Sequence, residues 1–569
     1  MGAEIASPTC GKWDQGFVLQ RFREGEFDYL DAANEVVEAD FFRFIHARGY
    51  LEGLARTYPS PRKKEEVPTW FYLASNLSMR LHGVHSFHAY PYVVRCGGML
   101  NVFGPGVAHK ATHPDTGDVT LSCAGFNAKN DYQRQTPCDQ DFLRKFAKDT
   151  DAAQLTRWFN RDVPRLLKKH RAFDPDGIFI GDATYVFVPD NPKYERAVRL
   201  LFDERGHPVE AETVAQMVPA AAARCTFRRC YKLVSLLHTD RQRSFGLRVA
   251  MQLVPGNASE CPILYDLVDQ FVADVGADVI KRLLLDRGFL DGGKIARCKR
   301  THGIDILIPL RRTMDVYQDA LGLVRLPELR FREYTAPTRE PVDAPRLPQA
   351  PARVRQRELA RQQTVAAEKQ TRPPPPPAET LVRTEVGGMD GFRSWSSCPI
   401  PLTAIVNRDV YADGHHDVWM LVDTKPLSAE SPATRRDEYA LRTEIEEGHR
   451  QLKCFWDLAG FTSRAFSLVL NQLVFVMLAF NLLQLFLRTE VTAERPELPR
   501  RSRPRQLERL LISASVIIIY CHNRFATLTP LEYTELLLSL SDAARQKILE
   551  KTRRLRRDLV KELRPARPP

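Results

Sequence analysis

The alternation of short apolar runs with helix-like segments between residues 171 and 310 is the feature that most limits the fold. The runs GIFIGDATYVFV, CYKLVSLLH and FGLRVAMQLV have the length and the β-branched and aromatic content of strands. The helix-like CPILYDLVDQFVADVG follows, and then come VIKRLLLDRGF and IDILIPL. This order predicts an α/β sheet domain, in which the first three strands could form an antiparallel meander because their connections are short.

Two of these runs lead into an aspartate. Asp182 follows Ile178, Phe179 and Ile180, and Asp286 follows the leucines of KRLLLD. Each aspartate is predicted where a buried strand ends, and α/β folds gather their ligands at such positions because the sheet holds them rigidly. Either aspartate alone is more simply explained by the capping of a turn. The pair carries more weight than either member.

The stretch YALRTEIEEGHRQLK, at residues 439–453, has the spacing of a helix with two different faces. At roughly 100° per residue, an arc of about 80° collects the polar side chains Tyr439, Arg442, Glu446, Arg450 and Lys453. The opposite side is lined by Leu441, Ile445, Gly448, Leu452 and Phe455. Taken alone, this pattern also suits a solvated surface helix in which Glu446 and Arg450 form an ordinary i,i+4 ion pair.

A meeting of Asp182, Asp286 and Glu446 predicts a metal site. Three anions within about 4 Å repel one another by several kcal/mol unless divalent cations neutralise them. Oxygen ligands without Cys or His select magnesium or manganese. Two such ions, roughly 3.5 to 4 Å apart, activate a nucleophilic oxygen and stabilise the leaving oxygen of a phosphodiester. The cations on the same helical face as Glu446 would then grip the phosphates of a DNA strand.

The charge of the chain favours a polyanionic partner. The sequence has 82 Lys and Arg against 70 Asp and Glu, with a formal net charge of +12 and a pI of about 9.1, so nucleic acid is the first candidate. The cysteines are scattered without a CxxC pair, which argues against a disulfide framework and a cysteine zinc site. The N-terminus lacks a secretion signal, and we expect a cytoplasmic, nucleoid-associated protein.

A basic, Pro-rich segment interrupts the sheet domain. Residues 335–380 contain PPPPP and too little apolar surface to fold alone, which predicts a disordered linker. The run VWMLV, at 418–422, then predicts a further strand leading into the helix of Glu446. The predicted fold is therefore an α/β core interrupted by an insertion.

The predicted core is flanked by helical regions. The limits are 1–170 for a mostly helical DNA-binding domain, 171–325 and 416–490 for the two parts of the core, 326–415 for the insertion, and 491–569 for a basic helical C-terminal region. The run AFSLVLNQLVFVMLAFNLLQLF is long enough to span a bilayer. Its Asn and Gln side chains favour a buried core helix, so no membrane partner is expected. The basic tail suits a solvated face as well as phosphate contact or the docking of a partner.

Tyr439, Arg442, Glu446 and Lys453 stand in the spacing Y-x2-R-x3-E-x6-K. Together with LLLDRGF and GIFIGDATY, this spacing resembles the signature of a large group of bacterial insertion-sequence DDE transposases. The resemblance covers roughly residues 171–490. The PPPPP linker makes the insertion longer than the usual pattern, and GDATY matches only loosely.

The resemblance implies a ribonuclease-H-like core in which Asp182, Asp286 and Glu446 bind two Mg²⁺ or Mn²⁺ ions, with a mostly β insertion before the glutamate. Because GDATY matches loosely, Asp190 stays an alternative to Asp182. The resemblance also implies a homodimer in the active complex, since two DNA ends must be cut together. The side chains expected to contact DNA are Tyr439, Arg442, Arg450, Lys453 and Arg287.

The expected function is that of a transposase, an enzyme that cleaves double-stranded DNA at the ends of an element and joins the freed 3′ hydroxyl to target DNA. One alternative is a transposase-derived DNA-binding protein without catalysis, against which the intact carboxylates count. The other is a metal-dependent nuclease without strand transfer.

Overall fold

The computed structural model describes residues 12–33, 35–65, 67–90, 109–112, 119–122, 138–324, 330–337, 380–427, 431–454, 456–491, 516–522, 524–528 and 530–563. Most of the predicted linker at 335–380 lies outside these residues, and so does much of the first part of the predicted basic tail. Packing divides the chain into two units. The first comprises Met1–Leu166, Phe187–Ala197 and Arg450–Pro569, and the second Leu167–Val186 and Val198–His449.

The strands are numbered in chain order. They are β1 (Lys12–Trp13), β2 (Tyr29–Ala33), β3 (His109–Thr112), β4 (Val119–Ser122), β5 (Ile178–Val188), β6 (Val198–Phe202), β7 (Thr226–Thr239), β8 (Leu247–Pro255), β9 (Arg282–Leu284), β10 (Asp305–Pro309), β11 (Arg332–Tyr334), β12 (Leu381–Phe392), β13 (Leu402–Tyr411), β14 (His416–Asp423), β15 (Val516–Cys521) and β16 (Arg524–Leu528).

The α-helices are numbered in the same way. They are α1 (Gln15–Arg23), α2 (Glu35–Ala47), α3 (Tyr50–Thr57), α4 (Thr69–Leu81), α5 (Gln140–Asp149), α6 (Ala152–Lys169), α7 (Ala211–Ala215), α8 (Pro219–Ala222), α9 (Glu260–Val275), α10 (Gly292–His302), α11 (Asp315–Leu323), α12 (Pro432–Tyr439), α13 (Thr443–Cys454), α14 (Phe466–Phe486), α15 (Pro530–Leu538) and α16 (Asp542–Leu563). Short 3-10 turns occur at Phe87–Ala89, Arg287–Phe289 and Ala440–Arg442, and a π-helical turn at Leu487–Val491.

The second unit is built on a ten-stranded mixed sheet. Its strand order is β11-β12-β13-β14-β10-β9-β5-β7-β6, and β8 pairs with β7. The central strands β5, β9 and β10 are parallel, and their apolar runs are buried, as is typical of parallel strands. The predicted mixed α/β fold is confirmed. The predicted antiparallel pairing of β7 with β8 is also present, whereas β6 has no counterpart in the prediction.

The strands that follow β10 extend the same sheet on one side. β14 pairs antiparallel with β10, with Ile308 opposite Val422, and β13, β12 and β11 continue outward from it. The strand predicted at 418–422 is therefore β14, one step from the parallel centre. The chain then turns into α12 and α13, which carry the Y-R-E-K residues.

The core of the first unit is formed around α14. Helices α2, α4 and α5 pack against it. Inside the core, Asn471 donates a hydrogen bond to Tyr72 Oη at 2.8 Å and Gln472 donates one to the Leu458 carbonyl at 3.3 Å. The segment Phe466–Thr489 is apolar enough to cross a membrane, but 89% of its most apolar window is buried in the protein. This burial agrees with the predicted core helix.

The two ends of the described chain meet in a four-stranded sheet of the first unit. Its order is β1-β16-β15-β2, so strands from the C-terminal hairpin pair with strands from the N-terminal segment. Helix α1 packs on β15 and β16 around Val18, Phe22 and Ile519. The prediction of a helical C-terminal region is therefore wrong at residues 516–528. The β-branched run VIII in this segment favours a strand, and β2 supplies an edge for it.

Candidate active site

Asp182 lies in β5, and Asp286 lies two residues beyond the end of the neighbouring parallel strand β9. β5 pairs with β9 as far as Ile180 opposite Leu284, and the same offset carried two residues further would match Asp182 with Asp286. The sequence predicts both residues at strand ends. This is correct for Asp286, but Asp182 lies inside β5, which continues to Val188. The difference arises because β5 continues beyond Ile180, the last of its residues that pairs with β9.

Burial and two neighbouring carboxylates raise the pKa of Asp182 to about 7. Burial is the largest cause, and the charge of Asp286 comes next. Glu446 acts in the same direction, while a backbone N–H and Arg442 oppose it. The carboxylate of Asp182 also lies 3.6 Å from Nδ1 of His449. The structure thus brings the charges of the three predicted carboxylates into one neighbourhood.

Asp286 caps the 3-10 turn that follows β9. Its Oδ1 accepts a hydrogen bond from the N–H of Gly288 at 2.7 Å. The adjacent Arg287 is exposed. Burial raises the pKa of Tyr439 to about 12, and the charge of Asp286 contributes to this rise while Arg442 and Arg287 oppose it. The tyrosine of the Y-R-E-K spacing therefore lies beside the second aspartate.

The segment predicted as one helix from Tyr439 to Lys453 consists of three pieces. Helix α12 ends at Tyr439, a 3-10 turn covers Ala440–Arg442, and α13 begins at Thr443. The prediction of a continuous α-helix is wrong at this turn. The Thr443 hydroxyl donates a hydrogen bond to the Ala440 carbonyl at 2.9 Å, next to the start of α13.

The packed face of this segment is as predicted. Leu441 and Ile445 are buried in a cluster with residues of β5, β9 and β10, and Leu452 is 1% exposed. Phe455 lies outside the described residues. The apolar side fixes the rotation of α13 on the sheet, and Glu446 lies on the exposed side of the helix.

Glu446 is half exposed and is paired with Arg442. The i,i+4 partner suggested by the sequence was Arg450, and the structure shows Arg442 four residues earlier instead. Burial disfavours the charged form of Arg442, but Tyr439, Glu446 and Asp182 outweigh it, and the pKa of Arg442 is raised. Arg442 is thus the cation among these carboxylates.

The two remaining predicted DNA contacts lie further along α13. Arg450 is exposed and Lys453 is half-buried, and both belong to the part of the helix that packs in the first unit. Asp190, the alternative to Asp182, is exposed beyond the end of β5. Their roles stay predictions.

A family model described as "Transposase DDE domain" matches residues 174–482, more than half of the 569-residue chain. The chain belongs to the DDE transposase family. The comparison with curated proteins gives no match. The matched segment includes all three carboxylates that the sequence and the structure bring together. DNA is the substrate that the family implies, and its members generally use divalent metal ions.

Behind the carboxylates of this transposase lies a buried polar network that the sequence did not indicate. Arg248 is 0% exposed and donates hydrogen bonds to Ser235 Oγ at 2.9 Å and to the Ile445 carbonyl at 3.3 Å. Nε2 of His449 lies 3.4 Å from the same Ser235 hydroxyl, and its Nδ1 faces Asp182. The network therefore links β7 and β8 to the helix that carries Glu446.

Gly448 makes room for this network. A Cβ at Gly448 would collide with Nη2 of Arg248. Burial lowers the pKa of Arg248 to about 9, while the charge of Asp182 acts in the opposite direction. The glycine inside the helical EEGHR is the one sequence signal that a bulky group packs against this side of α13.

A second buried ionic network braces the elements around the site. Arg282, at the start of β9, donates to both carboxylate oxygens of Asp423 at 2.6 and 2.7 Å and to Glu438 of α12 at 2.7 Å. Arg435 of α12 also lies 3.2 Å from Asp423. All four side chains are 5% exposed or less. The network ties α12 to β9 and β14, and so sets where α13 begins.

The donor set fits a hard divalent cation. Asp182, Asp286 and Glu446 offer carboxylate oxygens only, and a carboxyl whose pKa is raised by burial and by neighbouring carboxylates gains from a cation that neutralises the charges. In the described residues these oxygens do not all lie within 4.8 Å of one another. Glu446 is paired with Arg442, and Asp286 accepts the N–H of Gly288, so both carboxylates already have partners in the protein.

Proposed function

We propose that this DDE transposase cleaves DNA at the ends of its element and joins the freed 3′ hydroxyl to target DNA. The observation that carries the proposal is the match of residues 174–482 to a transposase DDE domain, within which the buried Asp182 lies near the charges of Asp286 and Glu446. Two divalent cations, Mg²⁺ or Mn²⁺, would supply activation of the attacking oxygen and stabilisation of the leaving oxygen.

The protein's own residues have distinct roles in this proposal. Asp182 lies within β5 and Asp286 follows the end of β9, and both would provide oxygen ligands, whereas Glu446 would leave Arg442 to complete the set. Its release leaves the guanidinium of Arg442 near the centre, where it is available to a DNA phosphate. In the free protein Glu446 neutralises the positive charge of Arg442. After the release of Glu446, that charge would pair with a DNA phosphate.

The other proposed phosphate contacts surround this position. Tyr439 would donate its hydroxyl, which is protonated at neutral pH, to a phosphate. Arg287 is exposed next to Asp286, and its planar guanidinium suits a phosphate oxygen pair. Arg450 and Lys453 would extend the contacts along the same strand from the later turns of α13.

The wider setting is also part of the proposal. The Y-R-E-K spacing favours a bacterial insertion-sequence origin, and hence action on chromosomal DNA in the cytoplasm. Two copies of the chain would act together, since both element ends must be cut. The first 170 residues and the basic C-terminal region would recognise those ends.

The test is a plasmid assay that uses the reading frame with its native flanking DNA. Glu446→Gln keeps the size of the side chain and removes the charge, so cutting should fall by at least about a thousandfold while end binding in a gel-shift assay changes little. The matched control is Glu444→Gln on the same helix, since Glu444 contacts Arg243, 3.3 Å away, rather than the aspartates. The control should keep its cutting activity.

The products distinguish the alternatives. Joined molecules in the presence of Mg²⁺ or Mn²⁺ support the transposase. Cut products without joining indicate a metal-dependent nuclease, and shifted but uncut DNA indicates a transposase-derived binding protein. Cutting by Glu446→Gln at the wild-type rate would contradict the proposed ligand set.

A further inference from the structure

A second group of metal-ligand side chains lies in the terminal sheet of the first unit. The ligand atoms of Asp28, Cys521 and His522 all lie within 4.8 Å of one another. Cys521 is buried, and the other two are half-buried. The group joins a residue before β2 to the turn of the β15–β16 hairpin, so it connects the two ends of the described chain.

The backbone brings these three side chains together. β2 and β15 are antiparallel with Tyr29 opposite Tyr520, which places Asp28 level with the end of β15. Asp28 Oδ2 accepts the backbone N–H of His522 at 2.6 Å. His522 has a φ of 53°, in the left-handed region that a histidine rarely occupies, and this turn returns its ring toward the sheet, 5.8 Å from the ring of Phe17.

The ligand types select a different metal from the catalytic carboxylates. A thiolate, an imidazole and a carboxylate together suit Zn²⁺, whereas magnesium and manganese prefer oxygen ligands alone. Three protein ligands leave a fourth position for water. The absence of a CxxC pair in the sequence did not indicate this site, because its ligands come from distant parts of the chain.

One cation already lies beside the group. Lys551 of α16 is close enough to Asp28 and Cys521 for their charges to oppose the effect of burial, which lowers the pKa of the lysine. Its ammonium lies 4.6 Å from the centre of the Phe27 ring. A metal ion at the group would be repelled by this ammonium.

We propose that Asp28, Cys521 and His522 form a zinc site that fastens the C-terminal hairpin to the N-terminal strand. The site is distinct from the carboxylates of the proposed function and does not depend on them. Since metal binding fixes ligands that come from β2 and from the hairpin, it should stabilise the terminal sheet.

The experiment measures zinc bound to the full-length protein. The purified chain is stripped with a chelator, dialysed against Zn²⁺ and analysed by elemental mass spectrometry, with about one zinc per chain expected above the catalytic background. Asp182→Asn and Glu446→Gln are analysed in parallel, and zinc that survives in both is independent of the catalytic carboxylates. Failure of the proposed DNA chemistry therefore leaves this result unaffected.

Two ligand variants and one control complete the test. His522→Gln and Cys521→Ser should each lower the zinc affinity at least tenfold and remove the zinc-dependent rise in melting temperature. Cys225→Ser, a half-buried cysteine outside the sheet, should behave as wild type. Because Cys521 is buried, a folding defect in its variant is checked by circular dichroism, and the half-exposed His522 remains the decisive position.

Lys551→Met tests the direction of the change in zinc affinity. Removing the ammonium should strengthen zinc binding, because only the repulsion is lost. Wild-type protein without bound zinc, or equal zinc content in wild type and His522→Gln, would overturn the proposal.

Discussion

Of the carboxylates described in the candidate active site, Asp182 has the least favourable electrostatic environment for its charged form. It is 9% exposed, faces two other carboxylates and has a pKa near 7, so at neutral pH the metal-free protein holds it only partly ionised. A buried carboxyl in this state is destabilising, and it is well suited to accept a divalent cation. The same residue thus links protein stability to metal binding.

We predict that Asp182→Asn stabilises the metal-free protein at pH 8. The folded carboxyl has a pKa of about 7, raised from an ordinary value of 3.8. The folded state therefore binds a proton that the unfolded state releases, and stability is lost as the pH rises from about 4 to 7. The variant should gain on the order of 2–4 kcal/mol at pH 8 in chelator and little at pH 4, as measured by urea unfolding.

Manganese provides the control for this prediction. Added Mn²⁺ should stabilise the wild-type protein and not Asp182→Asn. The difference in unfolding free energy between the two proteins should therefore narrow or reverse. A wild-type stability that is independent of pH between 4 and 8, with no effect of the variant, would show that the carboxyl is not buried among like charges.

At the scale of elements, the position of α13 is fixed by side chains that contact its buried side, away from the carboxylate of Glu446. Arg248 donates to the Ile445 carbonyl and is itself held by Ser235, so the guanidinium cannot shift without losing buried hydrogen bonds. Gly448 allows that approach. A helix that carries a metal ligand is thereby positioned by contacts on its buried side.

Gly448→Ala should destabilise the protein by about 1–3 kcal/mol, although alanine is the better helix former. The reason is the collision of its Cβ with the fixed guanidinium of Arg248. The matched control is Gly322→Ala in α11, where a Cβ meets nothing within 4 Å and the change should be neutral or stabilising by up to about 1 kcal/mol. Equal effects of both substitutions in thermal unfolding would contradict the packing argument.

The ionic network under α12 makes a second prediction at this scale. Asp423→Asn removes one charge from a side chain that is 0% exposed and leaves Arg282 and Arg435 short of a counter-charge, so we expect a loss of about 3–5 kcal/mol. Asp417→Asn is the control, because its partner Arg312 is 64% exposed and the pair should contribute less than about 1 kcal/mol. Chemical unfolding of both variants separates the two cases.

At the scale of the whole molecule, the two ends of the described chain share one sheet. β2 and β16 both pair with β15, so the central strand comes from the C-terminal hairpin while its neighbour belongs to the N-terminal segment. This sheet cannot form until nearly the entire chain is available. Its stability is therefore a property of the intact chain.

We predict that Ile519→Ala loosens the terminal sheet as a unit. Ile519 is 0% exposed on the central strand, and its truncation should cost about 2–5 kcal/mol. Hydrogen exchange should accelerate together in β2, β15 and β16. Leu531→Ala, at a position 68% exposed on α15, should leave the exchange unchanged. Faster exchange in β15 alone would argue against cooperative pairing of the chain ends.

The sequence was most informative where the pattern repeats over several residues. The apolar runs of β5, β9 and β10 and the buried helix α14 were predicted because each reflects burial of a continuous stretch. The same holds for the packed face of Leu441 and Ile445. The 3-10 turn at Ala440–Arg442 was missed because it breaks a helical spacing that otherwise continues through it, and the hairpin at 516–528 was missed because its partner strand lies hundreds of residues away.

By itself, the sequence determined the alternation of strands and helices, the positive charge and the three acidic side chains with their surrounding cations. These depend on local composition and spacing, which the covalent chain carries directly. Only the tertiary structure decided that Asp182 lies near the charge of Asp286, that Arg248 supports the helix of Glu446, and that Asp28 meets Cys521 and His522. Such contacts depend on strand register and on the folding of distant segments against each other, and no spacing along the chain encodes them.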